Sequence, residues 1–472
     1  MRFNIKLIIP VFVLLVASTG CKKSYLQTTP YDGIDLSIAI TTEADLKAAD
    51  IGMYNAMRSY LAFGRYLPAK GDIMADNTYC SSTNTGRENT TYNVYSFTPS
   101  TAVAGSVFNQ LYIVIKRANQ IIAATVPASA TVNQYKGEAY AARALSYLEL
   151  VRNYAYPYSS GANNPGVSLV TEFFKADIKP ARNTVGEVYT QILADLNQAY
   201  SLMTVYTSSA YFSKYAARAL QARVYMDMAD WANAKTAALD VVTNGGFTTV
   251  ASTSYVAWWA AQNAASANKQ EAIFSLICDA TGNNGNESLS YLYYQAGSYG
   301  DYVVTNSLYN LYSATDVRRN FIVKVKRGQD STWSSVKYPN SLSSNKDNIP
   351  VLRYSETLLI LAEAYYNTTD PTNALLYANM VAQKRDPSFT GYTSSGAQIL
   401  EDILTEKRKE LAFEGERYWD LYRLKRSFTK VVDQPQGTTL SIVLPTTRGS
   451  RFPIPQAEMD TNPNTSQNPE YQ

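Results

Sequence analysis

One pattern, repeated at a fixed distance along the chain, limits the folds that the chain can adopt. Six residues recur with the same identity 140 positions later. The first set is Ala222, Tyr225, Asn233, Ala234, Ala238 and Val241, and the second set is Ala362, Tyr365, Asn373, Ala374, Ala378 and Val381. This is the spacing of a tetratricopeptide helix pair, in which small residues let two antiparallel helices approach and the tyrosine fills the groove. The pattern predicts an all-α fold built on paired helices.

Amphipathic segments extend this prediction along the chain. Apolar residues at three- and four-residue spacing predict helices at residues 42–59, 106–124, 135–154 and 184–203. Thr184 is a good N-cap, with Glu187 as its capping-box partner, and Gly415 is the expected break within a helical stretch at 398–424. We expect one domain, residues 21–472, whose helix pairs lie within about 135–203, 210–244, 351–386 and 397–427. Residues 245–255 and 279–344 are rich in Gly, Asn, Ser and Thr and are expected to be loops.

The start of the chain has the pattern of an export signal. Arg2 and Lys6 flank the beginning of an apolar run at residues 7–16, and small residues follow at 17–20. Such a segment is a secretory signal and is too short to span a bilayer. We therefore expect residues 1–20 to be removed.

Cys21 follows this leader directly and is the expected lipid anchor. Acylation of Cys21 would hold the protein at a membrane, since each buried CH₂ contributes about 0.8 kcal/mol. Ser18 departs from the aliphatic residue usual three positions before such a cysteine, so an ordinary signal peptide with an incidental cysteine is the alternative. Residues 21–34 are polar and are expected to form an extended tether.

Composition excludes several classes of function. Without Arg2 and Lys6 the chain has 40 basic and 39 acidic side chains, so it lacks the charge that nucleic-acid binding requires. It has no histidine, which excludes histidine-based catalysis and histidine-ligated metal sites, and we expect no cofactor. Its 38 tyrosines suit wet recognition surfaces, although most of them are expected to pack between helices. Cys80 and Cys278 are too weak a signal to predict a disulfide.

Several motifs together resemble those of one known family. In the first half they are Cys21 with Tyr25-Leu26 and Pro30, then Arg117-Ala118-Asn119, Gly137-Glu138-Ala139, Arg143-Ala144 and Tyr147. In the second half they are Arg353-Tyr354-Ser355-Glu356, Ala362-Glu363-Ala364, Glu406-Lys407-Arg408-Lys409-Glu410-Leu411, Glu414-Gly415-Glu416-Arg417-Tyr418-Trp419-Asp420-Leu421, Phe452-Pro453-Ile454-Pro455 and Asn468-Pro469-Glu470-Tyr471. On these motifs the chain resembles the SusD/RagB lipoproteins of Bacteroidetes nutrient uptake, and it departs from them at Glu470, where glycine is more usual.

The resemblance implies both a fold and a role. It implies four tetratricopeptide-like helix pairs as a scaffold, with irregular helices, loops and minor short strands packed on one side. It also implies a cell-surface, outer-membrane lipoprotein that captures oligosaccharide and caps a SusC-like TonB-dependent transporter. Capture of peptides, or a lid with little ligand affinity of its own, are the alternatives within the family.

No motif carries over ligand-binding residues, so candidates come from chemistry. Sugar rings present apolar C–H faces and a rim of hydroxyls, so they bind exposed aromatic rings beside polar side chains. One candidate segment offers Asp76, Asn77, Tyr79, Arg87 and Tyr92, a second offers Tyr291, Tyr293, Tyr294 and Tyr299, and Trp333 is a loop candidate. In an extended stretch Tyr291 and Tyr293 would point the same way and form a two-ring platform. Alternatively, these rings pack on the helices beneath or face the transporter.

The C-terminal motif also allows a catalytic interpretation. Glu406, Glu410 and Glu414 share four-residue spacing, and a glycosidase needs two carboxyls about 5–9 Å apart. Lys407, Arg408, Lys409 and Arg417 surround them, which favours ionised carboxylates in structural pairs. We therefore expect a binding protein and not an enzyme.

Overall fold

The computed structural model describes residues 39–80, 89–173, 178–294, 299–327, 330–433 and 437–472. The predicted leader, the lipid anchor Cys21, the tether and Arg87 lie outside these ranges. Within them the chain is mostly helical with short strands, so the predicted fold class is confirmed. No helix in the described ranges has both the length and the apolar character needed to cross a membrane.

The helices and strands are numbered in chain order. The first α-helices are α1 (Glu43–Arg58), α2 (Tyr66–Ile73), α3 (Asn89–Val94), α4 (Ala102–Ala123), α5 (Ala130–Tyr154), α6 (Val185–Leu202), α7 (Lys214–Asp227) and α8 (Trp231–Asn244). The later ones are α9 (Ser252–Ala260), α10 (Leu289–Tyr293), α11 (Asn306–Tyr309), α12 (Tyr354–Asn367), α13 (Pro371–Arg385), α14 (Gln398–Glu410), α15 (Arg417–Arg423) and α16 (Gln456–Thr461). The strands are β1 (Thr78–Cys80), β2 (Ala272–Leu276), β3 (Tyr302–Val304), β4 (Ile322–Arg327), β5 (Asp330–Ser335), β6 (Ile349–Arg353), β7 (Ser427–Val431) and β8 (Thr439–Val443). Short 3₁₀ turns lie at Tyr158–Ser160, Gly285–Glu287, Val317–Phe321 and Pro469–Tyr471.

Consecutive helices form the scaffold by packing in pairs. Helix α5 packs on α6, α7 on α8 and α12 on α13, and α8 also packs on α12. Helix α14 packs mainly on α12 and α13 and only slightly on α15. The alanines of the repeated pattern are fully buried at these contacts, as their small size predicts. The capping box of Thr184 and Glu187 is present at the start of α6. The four helices predicted from periodicity are all present, with bounds that differ by a few residues.

The recurring asparagine of the repeat donates hydrogen bonds to the N-cap residue of its helix, a role that its spacing did not reveal. Asp230 accepts hydrogen bonds from the backbone N–H of Asn233 at 3.2 Å and from its side-chain Nδ2 at 2.7 Å. Asp370 accepts the same two bonds from Asn373, at 3.0 and 2.7 Å. Each aspartate is thus the N-cap of the second helix in its pair.

Three short strands lie in a region predicted to be loops. Residues 279–344 contain β3, β4 and β5, which join β1 in an antiparallel sheet of order β1-β3-β5-β4. The prediction of loops was wrong for these strands. Glycine, serine and asparagine are frequent around them, and that composition is typical of loops. Residues 323–326 read Val-Lys-Val-Lys, an alternation that is typical of a strand. Two further strand pairs, β2-β6 and β7-β8, are also antiparallel.

The predicted break at Gly415 is present and serves a close contact. Helix α14 ends at Glu410, α15 begins at Arg417, and Gly415 has a φ of +85°. A Cβ on Gly415 would lie 2.5 Å from Cα of Pro68, and one on Gly71 would lie 1.7 Å from the carbonyl oxygen of Gly415. Two backbones therefore meet here, where only glycine fits.

Candidate ligand-binding surface

The four-stranded sheet brings the three candidate segments together. In the pairing of β1 with β3, Tyr79 lies opposite Val303 and Cys80 lies opposite Tyr302. Val304 of β3 in turn lies opposite Trp333 of β5. Segments that are more than 200 residues apart in sequence thus become neighbouring strands.

An aromatic stack formed by Trp333 and Tyr309 marks the surface of this sheet. The two rings lie nearly parallel, with centroids 3.8 Å apart and an interplanar angle of 18°, and both side chains are half-buried. Trp333 Nε1 donates a hydrogen bond to Oδ1 of Asn306 at 2.9 Å. Trp333 lies in strand β5, so the expectation that it lies in a loop was wrong. The strand fixes the position of its side chain. Tyr309 was not among the sequence candidates, because nothing in its local pattern separates it from the other tyrosines.

Cationic side chains surround the stack. Arg319 donates to the hydroxyl of Tyr309 from Nε at 3.0 Å and from Nη2 at 2.7 Å. Lys324, which lies opposite Trp333 in the sheet, has its Nζ 5.6 Å from the centre of the Trp333 ring. The half-buried rings, with the amide of Asn306 and the cations Arg319 and Lys324 beside them, offer apolar contact to sugar C–H groups and hydrogen bonds to hydroxyls.

A second aromatic pair replaces the platform expected from the tyrosine-rich segment. Tyr291 and Tyr293 lie in the short helix α10, so side chains two residues apart point in different directions and do not form a platform. Tyr293 is fully buried, and its hydroxyl donates to Asp72 at 3.1 Å. Tyr291 instead packs edge-on against Tyr299 at 5.6 Å, and the two half-buried rings adjoin Lys346. Tyr294 is also half-buried, at the end of α10.

Three described candidates of the first segment lie in the interior, which removes the exposure that the hypothesis required. Asn77, Tyr79 and Tyr92 are at most 1% exposed. Asp76 forms two hydrogen bonds with Arg417, at 2.9 and 3.0 Å. Burial opposes ionisation of Asp76, but Arg417 and Arg408 outweigh it and lower its pKa to about 2. Asp76 is therefore a structural anion that ties β1 to the C-terminal helices.

The carboxylates of the C-terminal motif are also structural. Glu406 lies 2.6 Å from Arg318, Glu410 lies 2.8 Å from Arg353, and Glu414 lies 2.7 Å from Lys337. All three acids are at most 5% exposed. Structural pairing was predicted, but these principal partners come from distant segments and not from the neighbouring Lys407, Arg408 and Arg417; only Lys409 also contacts Glu406.

The protonation state of Glu410 follows from this packing. Burial disfavours its charge, yet Arg385, Arg353 and Arg318 together hold its pKa well below the usual range. A carboxyl that is permanently ionised cannot act as the proton donor that glycoside hydrolysis needs. In the described part of the chain no group of three or more Asp, Glu or Cys side chains is placed to hold a metal ion.

Neither of the two described cysteines is part of a disulfide. Cys80 and Cys278 are both buried thiols. Burial raises the pKa of Cys278 to about 12, so this thiol is uncharged and unreactive at neutral pH.

A helical-repeat scaffold that carries a partly exposed aromatic surface, with its motif carboxylates held in ion pairs, defines a ligand-binding protein. Residues 320–471 match the family model described as "SusD family". Residues 24–226 match a second model, described as "Starch-binding associating with outer membrane". The chain belongs to the SusD/RagB family of binding proteins, which are not enzymes.

Relatives match the chain over nearly its whole length. A SusD-like protein of Formosa agariphila is 27% identical over 98% of this chain and 98% of its own. A solved structure from Bacteroides vulgatus, described as a candidate sugar-binding protein, is 29% identical with a TM-score of 0.83, covering 92% of this chain and 100% of its own. A SusD superfamily structure from Bacteroides thetaiotaomicron has the same TM-score at 26% identity, covering 91% of this chain and 100% of its own.

Proposed function

We propose that this protein captures glycans at the cell surface and delivers them to a SusC-like TonB-dependent transporter of the outer membrane. The observation that carries the proposal is the stack of Trp333 on Tyr309, at 3.8 Å, on the surface of the sheet. A rigid, partly exposed aromatic face is what a sugar ring needs in order to bury its C–H face. The description of one matched family model, starch binding in association with the outer membrane, supports the same role.

The surroundings of the stack suit a hydroxyl-rich ligand. Asn306 offers a side-chain amide, and Arg319 and Lys324 offer N–H donors to hydroxyl oxygens. Tyr291 and Tyr299 form a second ring pair on α10 and the segment after it, and Ser334 of β5 donates to the carbonyl of Tyr293 at 2.6 Å. Two aromatic pairs on adjoining elements suit an extended oligosaccharide better than a monosaccharide.

Anchoring and delivery are part of the same proposal. Acylated Cys21 would hold the protein on the outer membrane, and residues 21–34 would connect it to the folded body. Intact-mass measurement of the membrane-extracted protein should show loss of residues 1–20 and added acyl mass. Affinity purification through this chain should recover a large β-barrel transporter.

Titration against separate panels of oligosaccharides and peptides distinguishes the ligand classes. The proposal predicts saturable heat or fluorescence change with at least one oligosaccharide and none with peptides. Binding of peptides alone would establish the peptide-capturing alternative. Recovery of the barrel without affinity for either panel would establish a lid.

A further inference from the structure

A cavity outside the sheet surface contains two buried acids. It has a volume of about 270 Å³ and lies between α1, the start of α5 and the segment around residues 205–211. Its lining includes Asp50, Glu138, Gln134 and the tyrosines Tyr135 and Tyr211. None of these residues belongs to the aromatic surface around Trp333, so a ligand held in this cavity would be independent of glycan capture.

Two buried oxygens of this cavity, one on Asp50 and one on Gln134, have no hydrogen-bond donor in the described part of the chain. Asp50 is 1% exposed, and its Oδ1 has no hydrogen-bond partner in the described part of the chain. Oε1 of Gln134 is likewise buried without a partner there. Glu138 accepts from Tyr54 at 2.6 Å and from Gln134 Nε2 at 2.8 Å. A buried acceptor left unpaired is costly, so the site is complementary to a group that only donates.

The charge of the cavity also favours a bound cation. Burial and the negative charge of Glu138 raise the pKa of Asp50 well above its usual value, and burial raises that of Glu138 to about 7. Lys47 lines the rim but is exposed, and within the described residues it forms no ion pair with either acid. No cation of the described chain pairs with these two neighbouring carboxyls, so a bound cation would stabilise their ionised form.

The walls distinguish an organic cation from a metal ion. Tyr211 is 40% exposed, and with Tyr135 it lines the cavity and offers aromatic surface, which attracts ammonium groups. A calcium ion requires about six to eight oxygen ligands, and the described residues place no group of three or more acidic side chains here, although Thr131 and Thr207 also line the cavity. A primary ammonium group, in contrast, has three N–H donors for these acceptors.

We propose that this cavity binds the primary ammonium group of a small ligand, with Asp50 and Glu138 as its counter-charges and Gln134 Oε1 as an additional acceptor. The ammonium enters between Tyr135 and Tyr211, and its N–H groups satisfy the buried acceptors at the floor. The volume admits a ligand of about the size of an amino sugar.

The test uses the mature chain with two amines and their neutral counterparts. Calorimetric titration with cyclohexylamine and with propylamine, neither of which is a sugar, should show binding, whereas cyclohexanol and propanol should show none at the same concentrations. Asp50→Asn should weaken binding of both amines about tenfold or more, because a charge-assisted hydrogen bond is lost. Glu138→Gln should do the same.

Glu43→Gln is the matched control, since it removes a carboxylate from the same helix α1 but does not line the cavity. It should leave amine affinity within about twofold of the unmodified chain. Absence of binding by both amines, equal binding of their neutral counterparts, or binding of Ca²⁺ in their place would each overturn the proposal. These outcomes are measured on the unmodified chain and do not depend on whether a variant folds. Failure here would leave oligosaccharide binding intact, and failure of glycan capture would leave amine binding intact.

Discussion

Nη1 of Arg353 lies 2.8 Å from Oε1 of Glu410 in the interior of the protein, where both side chains are at most 1% exposed. Each belongs to a motif that the sequence shares with the SusD/RagB family. Arg385 and Arg318 also contact Glu410, both at 3.1 Å, so one carboxylate joins three separate segments of the chain. The part of the family motif that contains Glu410 therefore has a structural role, because its ion pairs connect these segments.

Removing that carboxylate should destabilise the fold strongly. Glu410→Ala leaves Arg353, Arg385 and Arg318 without their shared counter-charge, which should lower the free energy of unfolding by about 3–5 kcal/mol. Glu401→Ala breaks the exposed pair with Arg426 at 2.6 Å and should cost less than about 1 kcal/mol. Urea titrations of both variants followed by circular dichroism would measure the difference. Equal losses would show that the buried network does not stabilise the fold.

The backbone contact at Gly415 gives a second prediction. Gly415→Ala must accommodate a Cβ 2.5 Å from Pro68 at a φ of +85°, so we expect a loss of stability of about 3 kcal/mol or more. Gly396→Ala is the matched control, because Gly396 has a φ of +59° but nothing within 4 Å of the added Cβ. It should cost only about 1–2 kcal/mol of conformational strain. The difference between the melting temperatures of the two variants measures the contribution of the close contact. Equal melting temperatures would show that the contact with Pro68 does not limit the residue at position 415.

The pKa of Glu138 predicts a dependence of stability on pH. The folded carboxyl holds its proton up to a pKa of about 7 because of burial, whereas in the unfolded chain the proton leaves near 4.5. Between these values the folded state binds more protons, so stability falls as pH rises from about 4.5 to 7. Glu138→Gln removes this effect.

The free energy of unfolding of the variant, relative to that of the unmodified chain, should therefore rise by about 2–3 kcal/mol between pH 5 and pH 8. Asp72 and Glu416 titrate in both proteins and leave the difference largely unaffected. The pKa of Asp50, which burial and the charge of Glu138 raise, is lower in the variant and changes the difference in the same direction. Denaturant unfolding at the two pH values is the measurement. A difference between the proteins that stays constant with pH would contradict a raised pKa at Glu138.

Much of the scaffold could be predicted from sequence, because its signals are local. Small residues at fixed spacing, the capping box at Thr184 and the glycine at position 415 each act within a few residues of the chain. The sheet was missed because its strands are three to six residues long and its pairing joins residues 78–80 to residues 302–304. Pairing at such a distance leaves no periodic trace in the sequence.

The candidate surface was predicted only in part, and burial explains the difference. Tyr79, Tyr92 and Tyr293 have the same chemistry as exposed tyrosines, but they pack in the core. Trp333 was named as a candidate and is half-buried, but its partner Tyr309 was not named, since their contact depends on the position of α11 against β5. Which tyrosine faces solvent is a property of the tertiary fold and not of the local sequence.

Affinity for oligosaccharide after replacement of Trp333 is the decisive measurement for glycan capture. The probe is the oligosaccharide that binds the unmodified protein most tightly, and the experiment is isothermal titration of Trp333→Ala. The control is Trp231→Ala, which removes a half-buried tryptophan from repeat helix α8. We predict that Trp333→Ala weakens binding about tenfold or more, because an aromatic anchor is lost, while Trp231→Ala leaves affinity unchanged. A folded Trp333→Ala variant that binds as tightly as the unmodified protein would contradict glycan capture on this surface.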